Sequence, residues 1–377
     1  MKRSAMGSSP QFDLLESDKS AMNPIWTPPL HSIRSNHISP AKTTVVYDTY
    51  WYFAAERQNI LFNRINRTNE PWTNDPILSE YKFTNAYRAA DRVSQFLIRR
   101  VIYRDDLPNS AREIFFRTIL FKLFNKIETW ERIEKEIGPI VFEDYNFDAY
   151  EKILQEMKNE GRSIYSGAYI MHPGSAAFGK KFKHQNHLKL LEKMMFENLP
   201  ERISDTKRMQ EGFELLIQYP TIGDFLAYQF ITDLNYSEIT DYSEMEFVVP
   251  GPGALDGISK CFSDLGGLNT AEIIRFVSDI QEREFDRLGL SFCDLWGRKL
   301  QLIDCQNLFC EISKYSRVSH PNISGISNRK RIKQRFTANT TQPIDYWFPP
   351  KWGINKGESD EVRGLSKRSI KDRSGSV

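Results

Sequence analysis

Asp304, Asn307, Glu311 and Lys314 recur at i, i+3, i+7 and i+10, so a helix would carry all four on one face. Two carboxylates, an amide and an amine within three turns suit acid–base work or the holding of a substrate amine. The alternative is a surface lattice of ion pairs at i,i+3 and i,i+4. Asn85, Arg88, Arg92, Gln95 and Arg99 follow the same steps of three and four with no acid among them, and Arg100 and Arg104 adjoin. On one helix they form a stripe able to track a nucleic-acid backbone, or else a solvated face. Leu216 to Ala227 has the form of a helix-hairpin-helix: an apolar helix end, the turn Pro220-Thr221-Ile222-Gly223, and the small Ala227 four residues into the next helix. There Gly223 would let backbone N–H groups approach a DNA phosphate at a helix N-terminus; an ordinary αα-corner has the same outline.

Gly174-Ser175-Ala176-Ala177-Phe178-Gly179-Lys180-Lys181 matches the phosphate-binding G-x-x-x-x-G-K pattern until its last position, where Lys181 replaces the Ser or Thr that would hold magnesium. It follows His172-Pro173 with no clear strand before it, which argues against an NTPase. Its glycines with Lys180, Lys181 and Lys183 still suit a bound phosphate. His184 and His187 lack an evident third ligand, so no metal is expected, and no pattern asks for a cofactor.

Elements must position these groups. Residues 1–42, with their Ser, Pro and Asn, predict a disordered leader. Helices are expected from Thr43 through the aromatic-rich 47–53, then over 85–102, 111–135, 147–159, 187–198, 205–218, 224–234, 270–288 and 300–315. Residues 163–171 read as a strand or a buried irregular segment. The class is mainly α, with a helical domain over 43–317. Residues 318–377 form a basic, largely extended or disordered tail, with an aromatic island at Tyr346-Trp347-Phe348. Removing that tail is expected to leave the fold intact.

With 377 residues, 40% apolar and 27% charged, the chain can bury a large core. A mean hydropathy of −0.51 and no apolar run near 18 residues exclude a transmembrane helix. The four cysteines form no C-x-x-C pair. A soluble, intracellular, reduced protein of the cytoplasm or nucleoid (the nucleus in a eukaryote), without a membrane partner, is expected. The formal charge of +2 hides an asymmetry. Residues 318–377 carry twelve basic and five acidic side chains, and residues 81–126 carry ten and four. Two local basic segments point to nucleic acid where the whole-chain charge does not.

Unusual words also occur in a telling order: Trp72-Thr73-Asn74-Asp75-Pro76-Ile77-Leu78, then Tyr81 to Arg92, Tyr165-Ser166-Gly167-Ala168-Tyr169-Ile170, the Pro220–Ala227 hairpin with Pro250-Gly251-Pro252-Gly253, and Asp304 to Glu311 running on into Lys314-Tyr315-Ser316-Arg317. From about Tyr47 to Arg317 the chain resembles the helical domain found beside 5-hydroxymethyluracil DNA kinases, also called the alpha-glutamyl/putrescinyl thymine pyrophosphorylase family. The resemblance implies a fold like that of helix-hairpin-helix DNA glycosylases and a role in thymine hypermodification. In that reaction an amino acid or polyamine amine displaces pyrophosphate from an activated 5-hydroxymethyluracil in DNA. The partners implied are DNA carrying a modified pyrimidine, an amine co-substrate and a separate DNA kinase. Arg88 and Arg92 match the family's arginines and would hold phosphates. Asp304, Glu311 and Lys314 match its C-terminal motif and would deprotonate or orient the amine. Two other readings stand beside transfer: excision of a modified base, and a DNA-binding module without catalysis. Excision is disfavoured, because where helix-hairpin-helix glycosylases place a catalytic Asp, some two dozen residues past the hairpin proline, this chain has Val248-Val249-Pro250-Gly251-Pro252; Glu246 and Asp256 keep excision open.

Overall fold

Local capping starts many of the helices. The Thr44 hydroxyl accepts the Val46 N–H, Asp75 accepts those of Ile77 and Leu78, and Ser110, Asn146 and Asn269 each cap the helix that follows. The computed structural model describes residues 40–66, 69–337 and 346–355. Of the leader expected over 1–42, residues 1–39 lie outside the described residues, as does the basic end at 356–377.

Among the described residues fifteen α-helices follow in order: α1 (Val45–Ile65), α2 (Pro76–Glu80), α3 (Arg92–Phe96), α4 (Ala111–Phe124), α5 (Ile127–Ile137), α6 (Phe147–Asn159), α7 (Ser175–Phe178), α8 (Lys183–Phe196), α9 (Leu199–Ser204), α10 (Met209–Leu216), α11 (Asp224–Leu234), α12 (Pro252–Cys261), α13 (Thr270–Asp279), α14 (Gln281–Arg287) and α15 (Leu302–Ser319). The chain is mainly helical, as its periodicity predicts. Strand β1 (Lys42–Thr43) pairs antiparallel with β2 (Phe262–Asp264). Among the described residues no helix is long and apolar enough to cross a membrane.

Two helices organise the core. Helix α4 is buried around nearly its whole circumference and packs against α8, α9 and α11. Helix α15 is buried between α1, α12 and α13. The α12–α15 contact is close because α12 presents Gly253 and Gly257, one turn apart. A Cβ on Gly257 would stand 1.9 Å from the Phe309 carbonyl oxygen, and one on Gly253 would stand 2.3 Å from the Cys310 sulfur.

Several expectations need correction. The helix expected over 85–102 is broken. A 3₁₀ turn at Arg88–Ala90 precedes extended Asp91, then α3 continues into a π-helical stretch, Leu97–Ile102. The 111–135 helix is two, parted at Asn125, whose left-handed backbone (φ 50°) ends α4. Residues 163–171 form no strand, and Tyr169 there has φ 54°. Helix α12 lies outside the helices expected from the sequence; Pro252 opens it, where its missing N–H is harmless.

The aromatic island is not a loose tail. Phe348 is 1% exposed and lies against Trp296, Tyr346 and Trp352. Lys351 Nζ donates to the Ser237 and Thr240 carbonyls. Upstream, Lys82 N–H donates to Gln334 and Phe336 N–H to Glu80, so residues 334–336 run along the end of α2. The helical body therefore includes residues beyond 317, because apolar rings there find partners in it.

Candidate functional site

The polar face of α15 grips a loop. Asp304 accepts the Gln301 N–H (3.0 Å) through one carboxylate oxygen, closing the start of its own helix, and the Arg88 N–H (2.8 Å) through the other. Asn307 donates to the Thr84 hydroxyl and the Asn85 carbonyl. Glu311 accepts the Thr84 N–H (3.0 Å) and pairs with Lys314 (2.7 Å). Lys314 also lies over the Phe83 ring. The one-face spacing is as expected, but Asp304 and Glu311 are buried, so the face is not a surface lattice.

The gripped loop is held from its other side too. Arg57 donates to the Thr84 carbonyl and to the Asn85 side chain, which in turn donates to Ala90. Asp91 accepts the Asn85 N–H, and Gln95 donates to Ala89. Burial pushes the Asp91 carboxyl up to about 7, against the Asn85 hydrogen bond and Arg57. Burial likewise raises Asp304 to about 7, outweighing its two N–H donors.

The bond network drives Arg88 inward. Its guanidinium donates to Gln229 Oε1 (3.0 Å), Asp233 Oδ1 (2.7 Å) and the Tyr236 hydroxyl (2.9 Å). Lys122 approaches the other Asp233 oxygen at 3.1 Å and donates to Asn125 (2.7 Å), which donates to Ser166. Two cations thus flank one carboxylate, all three side chains being at least 96% buried. Asp233 is held below the usual carboxylate range: burial would raise it, but Arg88 and Lys122 prevail. Burial lowers Lys122 to about 8 despite Asp233. Arg88 stays charged, because Asp233 overcomes the cost of its burial.

Half-buried Tyr169 covers this cluster. Lys122 Nζ lies 4.3 Å and Arg88 Cζ 5.9 Å from its ring centroid. The ring stacks on Phe225 at 5.8 Å and 14°. Phe225 is in the first turn of α11 and lies so close to Gly251 that a Cβ there would meet its ring at 2.6 Å. Exposed Gly223 caps α11 in extended backbone, while Thr221 takes the left-handed turn (φ 71°). A buried cation pair, an aromatic stack and a helix N-terminus that no described side chain caps are thereby contiguous, a combination suited to an anionic, planar ligand.

The sequence profile of the family described as "5-hmdU DNA kinase, helical domain" matches residues 44–325, from α1 through α15. The chain belongs to this family. It is also similar to a curated protein named "5-hmdU DNA kinase" from Bacillus phage SP10, 29% identical over 321 residues. That match covers 80% of this chain and 50% of the relative, so the chain spans about half the relative's length. No solved structure matches.

Within the family span, the structure brings Asn85, Arg88, Asp304, Glu311 and Lys314 together around one loop, and links Gly223 to Arg88 through Phe225 and Tyr169. It does not bring in two other residues. Arg92 is exposed beside Glu128 at 3.7 Å, and exposed Lys180 follows α7, its N–H on Asn186. The stripe from Asn85 to Arg99 is therefore not one face, because the break at Asp91 turns Arg88 into the core and leaves Arg92 outside. His187 bonds Tyr165 and the His172 carbonyl, and burial lowers it to about 4. Asp256 is occupied by Ser313, Ser327 and Lys260, and Glu246 is exposed. Lys122, Asp233, Gln229, Tyr236 and Tyr169 were missed as a group. A signal existed: Gln229 and Asp233 stand one turn apart in a mostly apolar helix, and Lys122 is a lone lysine in another.

Proposed function

We propose that this chain acts on 5-hydroxymethyluracil in DNA, transferring an amino acid or polyamine amine onto its pyrophosphorylated form. The observation that carries the reading is the Arg88–Asp233–Lys122 cluster beneath the Tyr169–Phe225 stack, in a chain that belongs to the family of 5-hmdU DNA kinase helical domains. The amine nitrogen attacks the methylene carbon on C5, the carbon–oxygen bond breaks, and pyrophosphate leaves with the electron pair. The ammonium first gives a proton to solvent to become the attacking amine, and the secondary ammonium formed by the attack loses its extra proton to solvent or to the departing pyrophosphate. Arg88 and Lys122 stabilise the departing charge, a task for preorganised cations shielded from water. Tyr169 offers the ring against which an extruded uracil stacks, after moving aside from the cations.

Asp304, Glu311 and Lys314 are assigned as positioning residues: Asp304 and Glu311 accept the Arg88 and Thr84 N–H groups, Lys314 holds Glu311 in place, and together they aim Arg88. Gly223 at the α11 N-terminus and exposed Arg92 and Lys180 are assigned to DNA phosphates outside the cluster. The kinase chemistry in the relative's name is not assigned to this chain. Its G-x-x-x-x-G-K loop forms a four-residue helical turn between Gly174 and Gly179, with no strand leading into it. Activated DNA would then come from a separate kinase.

The test is incubation of the purified chain with DNA bearing pyrophosphorylated 5-hydroxymethyluracil and candidate amines, read by nucleoside mass spectrometry and pyrophosphate release. An amine adduct with stoichiometric pyrophosphate is expected. Abasic sites would replace transfer with excision, and unchanged DNA that nonetheless binds would leave a binding module.

A further inference from the structure

A second cationic site lies at the far end of α15, roughly 20 Å along the helix axis from Asp304 to Arg317. A recess of about 80 Å³ is lined by Lys260, Arg317, Ser324, Asn328, Arg329 and Lys330, among others. Lys260 is 2% exposed and donates to the Ser313 carbonyl. Arg317 donates from one nitrogen to the Arg331 carbonyl, while its buried Nε has no hydrogen-bond partner among the described residues. Arg329 and Lys330 are exposed at the rim. The nearest carboxylate, Asp256, is 3.4 Å from Lys260, and both its oxygens are already engaged, by the Ser313 hydroxyl and the Ser327 N–H. Lys260, Arg317, Arg329 and Lys330 thus outnumber the carboxylates that act on them, Asp256 paired with Lys260 and Glu311 within electrostatic reach of Arg317, and the recess keeps a net positive charge.

We infer that this recess binds a phosphate group, with Arg317, Arg329 and Lys330 as its ligands and Lys260 as the buried charge behind them. The recess has room for one tetrahedral oxyanion, and cationic side chains dominate its polar lining. The carbonyls at the C-terminal end of α15 disfavour anions, so side chains must supply the attraction. Burial already holds Lys260 and Arg317 below their ordinary pKa values, a cost that an arriving oxyanion would relieve. The phosphate comes either from the DNA backbone or free from solution. The inference does not depend on the amine-transfer reading.

Two measurements test it on the full chain: calorimetric titration with inorganic phosphate at constant ionic strength, and duplex DNA affinity across a salt series. Variants are Arg329→Ala/Lys330→Ala, whose exposed side chains leave the fold untouched, and Arg317→Gln. Lys135→Ala/Lys207→Ala, two exposed lysines outside the recess, is the control. Saturable phosphate binding by the parent, weakened tenfold or more in both recess variants and unchanged in the control, is expected. If the salt slope for DNA also falls by about 0.9 more than in the control, the occupant is a backbone phosphate; an unchanged slope assigns the site to free phosphate. Absence of saturable binding by the parent, or equal loss in the control, overturns the inference. Neither readout needs turnover, so this site and the proposed reaction fail separately.

Discussion

Asp233 is the residue on which the central cluster turns, since it alone neutralises Arg88 and Lys122 in a buried setting. Removing one partner of a buried ion pair strands the other charges, which costs about 3–5 kcal/mol. Asp233→Asn should therefore lower unfolding stability by that amount in urea melts; a loss under about 1 kcal/mol would mean that water reaches the two cations. Asp304 and Asp91 make a second prediction at this scale. With carboxyls raised to about 7 in the folded protein, both hold protons that the unfolded chain releases near the ordinary carboxyl value of 3.8. The folded state then binds more protons across that window, so stability falls as pH rises from about 4 to 7. The urea midpoint should drop between pH 5 and 7.5, and Asp304→Asn should flatten the drop. Identical slopes in parent and variant would place an ionised Asp304 in the folded protein throughout.

At the scale of elements, the grip of α15 on residues 84–88 decides where Arg88 points. Glu311→Gln keeps an acceptor for the Thr84 N–H, whereas Glu311→Ala leaves that donor unpaired, at about 1–3 kcal/mol. A positioning role predicts that the Gln variant keeps most turnover and stability while the Ala variant loses both. A loss of 10²-fold or more in the Gln variant, at unchanged stability, would instead make Glu311 the group that takes the amine proton. The grip depends in turn on α12 seating α15. Gly257→Ala drives a methyl into the Phe309 backbone carbonyl, which has no rotamer with which to yield. Overpacking of this kind costs about 1–3 kcal/mol, and thermal denaturation should show it.

For the whole molecule, the described residues beyond α15, 320–337 and 346–355, are part of the structure. Residues 346–355 cover α11's exit, with Phe348 buried and Lys351 satisfying the Ser237 and Thr240 carbonyls. Phe348→Ala should cost about 3–5 kcal/mol, as for a large buried ring. Truncation after residue 337 should lower the melting temperature further, since it also removes Lys351 and Trp352. A truncated chain that melts with the parent would return this stretch to the status of a tail.

What the sequence by itself determined is what short-range physics encodes. Caps such as Ser110, Asn146 and Asn269, with 3.6-residue periodicity, were sufficient for the mainly helical class and for most helix positions. The spacing of Asp304, Asn307, Glu311 and Lys314 put them on one face, and the order of unusual words pointed to the family. Only the tertiary structure decided what that face touches. Arg88 and Asp233 are 145 residues apart, and Thr84 and Glu311 are 227 apart; no periodicity within either segment encodes such pairings. The same holds for the break at Asp91. In isolation 85–102 has the pattern of a helix, but buried hydrogen bonds from Arg57, Asp91 and Asp304 to the backbone and side chains of 84–88 outweigh that preference. Burial then converts Arg88 from a member of a surface stripe into the centre of the candidate site, because a charge out of water takes the place where its partners are.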